Sequence, residues 1–213
     1  MLSVSSLGFI RHYSTFHNPS NRKILSIFET IRASPELIAR KECVEKGCVL
    51  VASSDEYDRF MSKAVIFLIN HGESGSQGLI VNKPSAFTMG ESAPNIGVFE
   101  SNSLFMGGQD GSDMAIMMHK YDLPGLSKYI GGGIFIGGIR AAKDLVEGFK
   151  ASPKDFKFVF NTCQWGPGVL QKEIEMGRWD ICEVPNHLIL SQDSRVYNSL
   201  WSDVHLSLLR APK

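Results

Sequence analysis

Apolar and polar positions along this chain follow two different periods. Short apolar runs rich in β-branched and aromatic residues, bounded by glycine, proline, serine or asparagine, predict strands. They lie near residues 48–53, 64–70, 78–82, 103–106, 113–119, 133–137, 156–161, 179–184 and 187–190. Apolar residues at helical spacing predict helices over residues 139–150, 167–177 and 196–209, and over 24–46 with an interruption at Pro35. Clusters of turn-forming residues predict loops at 71–77, 84–97 and 107–112.

The order of these elements indicates the fold class. Strands outnumber helices early in the chain and alternate with them late, so some neighbouring strands must form hairpins and others must be joined by crossovers. We therefore expect an α/β (α+β) fold, a mixed β-sheet packed with helices. The chain of 213 residues suits one well-buried domain. We place that domain at residues 43–213, after an N-terminal segment of residues 1–42 that includes the possible helix.

The N-terminal segment has the composition of a targeting sequence. Residues 1–28 contain no Asp or Glu, three basic residues and six serines. Transit peptides to organelles share this serine-rich, acid-poor, basic character. The sequence Arg11-His-Tyr-Ser14 also resembles a mitochondrial processing site. We expect an organellar protein, mitochondrial in preference to plastid. A disordered tail on a cytoplasmic protein is the alternative.

Charge and composition limit the classes of partner. Residues 1–42 hold six of the 22 basic and three of the 22 acidic side chains, which leaves 16 basic and 19 acidic ones and a net charge of −3. Nucleic-acid binders carry a basic surface, so direct nucleic-acid binding is not expected. No apolar run reaches the ~18–20 residues of a membrane span, and a soluble protein is expected. The four cysteines, in no C-x-x-C spacing, favour a reducing compartment.

The segment from Phe158 to Trp179 combines the most chemistry in the fewest residues. It predicts a buried strand, a tight Trp165-Gly-Pro-Gly168 turn, a short helix with Pro167 at its first position, and the start of another strand. The turn brings together a thiol, an indole and the amides of a helix start, which are groups that can bind an anion. Pro167 removes one of those amides. A strand-to-helix junction with a packed indole is the alternative interpretation.

Several motifs together resemble the YqgE/AlgH family. They run from about Gly47 to Trp179 and include the stretch Gly47-Cys-Val-Leu-Val-Ala-Ser53, the segment His71-Gly-Glu-Ser-Gly-Ser-Gln-Gly-Leu-Ile-Val-Asn-Lys-Pro84, the strand ends Phe105-Met-Gly-Gly108 and Gly133-Ile-Phe-Ile-Gly-Gly138, and the turn from Cys163 to Leu170. The resemblance implies an α/β mixed-sheet fold and a label of transcriptional regulator. It brings no catalytic residues. Lys83 stands where most relatives have arginine, so a bidentate anion contact there is not carried over.

Strand ends are where sheets with mixed α/β packing often bind ligands. We therefore predict a candidate cleft formed by Asn82 and Lys83, which would present an amide and a cation, the pair Gly107-Gly108, and a wall of Trp165-Gly166. The structural alternative is open for each of them. Asn82 can cap a turn, Pro84 can stop a strand, and paired glycines can form tight turns or bulges.

Cys163 is the candidate for catalysis. A nucleophilic cysteine needs a base and a lowered pKa. The candidate bases are His71 and His119, both near strand ends. No metal site is expected, because the histidines are scattered and form neither H-x-x-x-H nor H-E-x-x-H. No cofactor is expected either, because the glycine clusters match no nucleotide-binding motif.

The leading hypothesis for function is a non-enzymatic regulatory module that binds a small molecule or a protein. If it acts in transcription, a protein partner is favoured over direct DNA contact, because the domain is acidic and shows no helix-turn-helix pattern. The alternatives are a thiol-dependent transferase or hydrolase that uses Cys163, and a structural or assembly protein.

Overall fold

A computed structural model describes residues 38–123 and 125–210, apart from the side chains of Ser112 and Asp113. Most of the predicted N-terminal targeting segment and most of the helix predicted over residues 24–46 lie outside the described residues. The domain boundary near Cys43 stays a prediction. On its N-terminal side, Ala39 and Arg40 form a short edge strand, so this end of the predicted helix is extended.

The described chain forms eleven strands and five α-helices. The strands are β1 (Ala39–Arg40), β2 (Val49–Ala52), β3 (Val65–Gly72), β4 (Gly75–Ile80), β5 (Pro84–Thr88), β6 (Ser103–Met106), β7 (Asp110–His119), β8 (Ser127–Tyr129), β9 (Phe135–Gly137), β10 (Lys157–Trp165) and β11 (Trp179–Glu183). The helices are α1 (Met89–Ser92), α2 (Ile139–Glu147), α3 (Val169–Glu175), α4 (Asn186–Ile189) and α5 (Ser194–Arg210). Short 3₁₀ turns occupy Gly97–Phe99 and Pro153–Asp155.

The strands join into one sheet of the order β1-β11-β2-β3-β4-β10-β7-β9-β8, with β6 beside β10 and β5 beside β6. All pairings are antiparallel except β6 with β10, which is parallel. The predicted α/β (α+β) fold with a mixed sheet packed with helices is therefore confirmed. Among the described helices, none is both long and apolar enough to cross a membrane.

Strand β10 lies at the centre and changes neighbours half-way along its length. Its first half, at Phe158 to Phe160, pairs with β6 on one side and β7 on the other. Its second half, at Cys163 to Trp165, pairs with β4. Between them the register with β7 shifts at Asn161, which adopts the left-handed conformation with φ 60°. One strand thus belongs to both halves of the sheet.

The pair Gly107-Gly108 carries the chain past this irregularity. A Cβ atom on Gly107 would lie 2.3 Å from Val159 Cγ1, and one on Gly108 would lie 1.9 Å from the Thr162 carbonyl carbon. Such distances are far inside van der Waals contact, so only glycine fits at these two positions. The backbone of β6 can therefore leave β10 just where β4 takes its place.

Apolar clusters of the described residues pack on the sheet, and two of them bear on the candidate sites. One contains Leu50, Ile66, Cys163 and the indoles of Trp165 and Trp179, with α3 against it. The other lies under α1, α2 and the 3₁₀ turns. It contains Met89, Phe99, Leu104, Met117, Ala142, Phe156 and Phe158.

A fully buried lysine ties the C-terminal segment to the sheet. The Lys157 ammonium donates to the carbonyls of Val81 at 2.6 Å, Ile189 at 2.9 Å and Ser191 at 2.9 Å, and lies 4.1 Å from the Phe105 ring centroid. Burial lowers the pKa of this amine to about 7. The three carbonyl oxygens accept one hydrogen bond from each N–H of a protonated lysine, and the Phe105 ring face also attracts a cation. These contacts favour the protonated amine, so we describe Lys157 as an ammonium ion.

The structure corrects several sequence predictions. The strand predicted near 187–190 is helix α4, which starts after Pro185. Pro84 begins the edge strand β5 instead of stopping a strand, and the loop predicted at 84–97 contains β5 and α1. The loop predicted at 71–77 is the tip of the β3–β4 hairpin. Strand β8 was not predicted, because Ser127-Lys-Tyr129 is too short to show a period.

The close approach at Gly108 gives a test of the central crossing. We expect Gly108→Ala to lower the free energy of unfolding by about 3 kcal/mol, because the added methyl group has no space beside the backbone of Thr162. Gly72→Ala is the matched control. No atom lies within 4 Å of its added Cβ, and we expect a change within about 0.5 kcal/mol. Urea unfolding measures both, and a Gly108→Ala variant as stable as the control would contradict the packing described.

Candidate functional site

Asn82 and Lys83 follow β4, and their side chains hold the neighbouring loop. Asn82 Oδ1 accepts from the Val65 amide at 2.9 Å, and its Nδ2 donates to the Lys63 carbonyl at 2.9 Å. The half-buried Lys83 ammonium donates to the carbonyls of Phe60 and Ser62. Burial lowers the pKa of Lys83. The side-chain amide of Asn82 and the ammonium of Lys83 therefore both have backbone hydrogen-bond partners. This favours a structural role for the two residues.

Two of the three parts of the predicted cleft, the segment after β4 and the glycine pair after β6, meet through packed backbone. The Met106 amide donates to the Lys83 carbonyl at 2.8 Å, and the Ile80 amide donates to the Gly107 carbonyl at 2.8 Å. Gly107 and Gly108 are both buried. These two segments therefore lie against each other through backbone hydrogen bonds. A ligand-binding role for Asn82, Lys83, Gly107 and Gly108 stays a prediction.

Trp165 and Gly166 stand apart from that junction. Together with the β3–β4 hairpin they line a shallow polar cavity of about 310 Å³, whose other walls include Ser76, Gln77 and Gln164. Helix α3 begins at Val169, two residues later than predicted, and Pro167 precedes it. Helix α3 has seven residues and follows a left-handed Gly168. An anion site at this turn stays a prediction.

A carboxylate hub holds the Trp165 turn in place. Glu173 Oε2 accepts from the indole nitrogens of Trp165 at 2.9 Å and Trp179 at 2.8 Å. Its other oxygen accepts from Arg178 at 2.7 Å, and Arg178 also forms a bidentate pair with Glu56. Arg178 lowers the pKa of the Glu56 carboxyl. The indole of Trp165 is thus a packed, hydrogen-bonded group of the core. Its role as a wall of a ligand cleft stays a prediction.

Cys163 is buried and hydrogen-bonded. Its Sγ donates to the Gly107 carbonyl at 3.4 Å. Burial raises the pKa of the Cys163 thiol to about 12, and Asp110 adds to the rise. The candidate bases are engaged elsewhere, since His71 Nδ1 lies 2.8 Å from Ser76 Oγ and His119 Nε2 lies 2.9 Å from the Gly137 carbonyl. Cys163 has the surroundings of a core thiol.

An apolar groove on the other half of the sheet was missed by sequence reasoning. It has a volume of about 780 Å³ and lies between β7, α1 and the β8–β9 hairpin. Its apolar lining includes Met89, Met114, Met117, Leu126, Ile139 and Phe158. Met114 is 67% exposed and Leu126 is 57% exposed. Of the described residues lining this apolar groove, one, Lys128, is charged.

Metal-ligating side chains do not cluster in the part of the chain that the structure describes. No group of three His, Cys, Asp or Glu residues there is placed to hold an ion.

A family model described as AlgH-like matches residues 49–210. The chain belongs to the AlgH-like family. The YqgE/AlgH resemblance inferred from the motifs is therefore confirmed. Among its relatives, a UPF0301 protein from Chlorobium phaeobacteroides is 29% identical over 163 residues, which cover 76% of this chain and 85% of that protein. A UPF0301 protein from Bacteroides fragilis is 26% identical over 161 residues, which cover 74% and 80%.

Two solved structures share the AlgH-like fold. The crystal structure of a Corynebacterium diphtheriae protein aligns with a TM-score of 0.65 at 19% identity, covering 81% of this chain and 90% of that one. The solution structure of the AlgH protein from Pseudomonas aeruginosa aligns with a TM-score of 0.61 at 18% identity, covering 82% and 98%. At these identities the likeness shows the fold alone.

The AlgH-like motifs can now be placed on the fold. The segment His71 to Pro84 supplies the β3–β4 hairpin and the Asn82 and Lys83 contacts to the loop after β2. The turn at Cys163 supplies the end of β10 and the start of α3. The motifs thus mark junctions of the fold. The exposed groove residues Met114 and Leu126 belong to none of the motifs quoted for the resemblance.

The buried thiol makes a prediction about reactivity. At about pH 8, a thiol with a pKa near 12 has about three orders of magnitude less thiolate than an ordinary thiol with a pKa of about 8.5. We expect iodoacetamide to label the exposed Cys43 readily and Cys163 only after unfolding. Peptide mapping by mass spectrometry reads out both sites in one sample. Labelling of Cys163 in the folded protein at the rate of Cys43 would restore it as a candidate nucleophile.

The Glu173 hub makes a prediction about stability. Replacing Glu173 by Gln removes the charge that three donors share, and we expect the free energy of unfolding to fall by about 1.5–3 kcal/mol. Glu175→Gln is the control, because Glu175 is exposed on the same helix. Tryptophan fluorescence during urea unfolding reports both. Equal midpoints for the two variants would show that the hub contributes nothing to stability.

Proposed function

We propose that this AlgH-like protein is a non-enzymatic binding module whose apolar groove binds a partner protein. The observation that carries the proposal is the exposure of Met114 and Leu126 at the mouth of a groove with an apolar floor. Soluble proteins rarely expose contiguous apolar surface unless it binds something. Burial of this groove by a partner would release water from its apolar atoms, which favours binding.

The composition of the groove suits a protein partner. Met89, Met114 and Met117 contribute unbranched, polarisable side chains that adapt to the shape of what they contact. Methionine is enriched in the cores of protein interfaces, and charged residues are depleted there. One lysine at the edge of an apolar lining matches that pattern.

The thiol-dependent alternative lacks support from the surroundings of Cys163. A thiol whose pKa is raised to about 12 is protonated at neutral pH and attacks poorly. Its hydrogen-bond partner is a backbone carbonyl, which takes no proton from it. We therefore keep the binding module as the conclusion and assign no catalytic residue.

A regulatory role would act through that partner. The chain after residue 42 carries 16 basic and 19 acidic side chains, so its charge gives no general attraction for nucleic acid. We propose that regulation by this protein, including any effect on transcription, proceeds by protein contact at the groove. A salt-sensitive, tight binding of duplex DNA by the purified chain would overturn this part of the proposal.

A pair of methionine variants tests the groove. Met114 in the groove is 67% exposed, and Met176 at the end of α3 is 70% exposed, so Met114→Glu and Met176→Glu place the same charge at similarly exposed sites. We expect Met114→Glu to weaken partner binding at least tenfold, because a carboxylate must then be desolvated in an apolar interface. Met176→Glu should bind like the wild type.

Affinity purification from the native cells with quantitative mass spectrometry identifies the partner, and calorimetry with that purified partner gives the affinities of the three forms. Urea unfolding checks that both variants fold. The same proteins recovered by all three forms, with equal affinities, would contradict a role for the groove.

A further inference from the structure

Strand β7 has one covered edge and one edge that is largely bare. On one side it pairs with β10, from Met118 opposite Lys157 to Ala115 opposite Phe160 and again at Asp110. On the other side it pairs with β9 only at Met118 and His119. The remaining side of Met114, Ala115 and Ile116, which we call the bare edge, faces the apolar groove.

Two glycines explain why β9 leaves the edge uncovered. With Met118 opposite Ile136, a longer β9 would place residue 138 opposite Ile116 and residue 140 opposite Met114. Gly137 and Gly138 instead have φ angles of +88° and +73°, a region that side-chain-bearing residues avoid. They turn the chain away from β7 and into helix α2. The His119 ring, hydrogen-bonded to the Gly137 carbonyl, fixes the point of departure.

The bare edge retains main-chain hydrogen-bonding capacity. In a strand, successive residues direct their N–H and C=O groups to opposite sides, so every second residue of Met114–Ile116 points away from β10. Outside the strand pairings, the backbone hydrogen bonds of the described residues include none from these three residues. Proteins usually protect such edges with charges, prolines or a covering segment, because a bare edge is a template for another strand.

The surroundings of the bare edge specify what would pair with it. Phe158 and Met117 form the floor of the groove, and Leu126 and Ile139 line it on the side of the β8–β9 hairpin. Lys128 in β8 is exposed and stands opposite Ile136. An incoming strand would place alternate side chains on the apolar floor, and a carboxylate on it would complement Lys128.

We propose that an extended, apolar segment of a partner protein, carrying an acidic residue, adds to the bare edge of β7 as an extra strand. The proposal rests on the proposed function, since it names the way in which the groove binds its partner. Main-chain hydrogen bonds to Met114–Ile116 supply affinity. The apolar floor of the groove favours apolar side chains at alternate positions of the segment, and Lys128 favours an acidic residue in it.

Alternate backbone methylation tests the hydrogen bonds. The probe is a blocked decapeptide of alternating valine and threonine with one central aspartate, titrated into the full chain and followed by the amide resonances of Met114–Ile116. An N-methyl group removes one backbone donor and keeps the side chain. We expect methylation to weaken binding at least tenfold at every second position of the bound stretch and to change it less than twofold between them. A uniform effect of methylation, or no saturable binding up to about 1 mM, would overturn strand addition.

A charge exchange tests the role of Lys128. We expect Lys128→Glu to weaken the aspartate peptide several-fold, and a peptide with lysine in place of aspartate to recover that loss on the variant. Lys172→Glu, an exposed position on α3, is the control and should leave both affinities unchanged. Equal affinity of both peptides for wild type and Lys128→Glu would overturn the assignment of the acidic residue.

The outcomes for the two proposals are separable. If Met114→Glu loses the native partner while backbone methylation has no alternating effect, the groove binds its partner by another mode and strand addition is wrong. If N-methylation of the peptide has the alternating effect but the native partner binds Met114→Glu as tightly as the wild type, the proposed function fails. Concentration-dependent pairing of β7 edges in the absence of peptide, seen by sedimentation, would identify a second copy of this chain as the occupant and overturn the proposal.

Discussion

The fold depends on one strand that pairs with one neighbour along its first half and with another along its second half. Strand β10 pairs with β6 at Phe158–Phe160 and with β4 at Cys163–Trp165, and the change of partner occurs at the left-handed Asn161. The exchange requires the backbone of β6 to pass within van der Waals contact of β10. This is possible because Gly107 and Gly108 have no side chains. The rest of the sheet extends outward from this crossing.

The same crossing explains how the most distinctive residues are packed. Cys163 sits directly after the exchange and gives its thiol hydrogen to the Gly107 carbonyl. Trp165 ends the strand, and its indole is held by Glu173 together with that of Trp179. Residues that maintain a junction are restricted as tightly as those that bind a ligand, because each has a neighbour that tolerates no change in shape. The groove proposed to bind a partner is lined by other residues than these three.

Much of the architecture was predictable from periodicity, for identifiable reasons. Helix α2 starts at Ile139 as predicted, because a glycine pair precedes a run with clear helical spacing. A strand was predicted near residues 187–190, because a short apolar run has no period of its own. The structure has a helical turn at Asn186–Ile189 instead, which begins after Pro185.

The candidate site was less predictable than the fold. The sequence predicted that Asn82, Gly107 and Cys163 stand at strand ends, and of these Gly107 and Cys163 are joined by a hydrogen bond. It did not show that the Lys83 ammonium would donate its hydrogen bonds to backbone carbonyls. Met114 and Met117 differ by three positions and look alike in sequence, yet one is 67% exposed and the other is 4% exposed. In a strand, residues three positions apart point to opposite faces of the sheet. Met117 packs in the core with Met89 and Ala142, and only the fold shows that this is the face that α1 and α2 cover.

The buried contacts of Lys157 differ from the exposed ion pairs at the edge of the sheet in how they respond to salt. Lys157 is held by three carbonyl oxygens in the interior, where mobile ions do not reach. The edge strand β1 and the residue after it are fastened to β11 by the solvent-accessible pairs Arg40–Asp180 and Lys41–Glu183. At an ionic strength of 1 M the screening length is only about 3 Å, so attraction between the outer pairs is weakened while the inner contact is unaffected. Added salt should therefore weaken the attachment of β1 to β11 at the edge of the sheet before it affects the contacts of Lys157 in the interior.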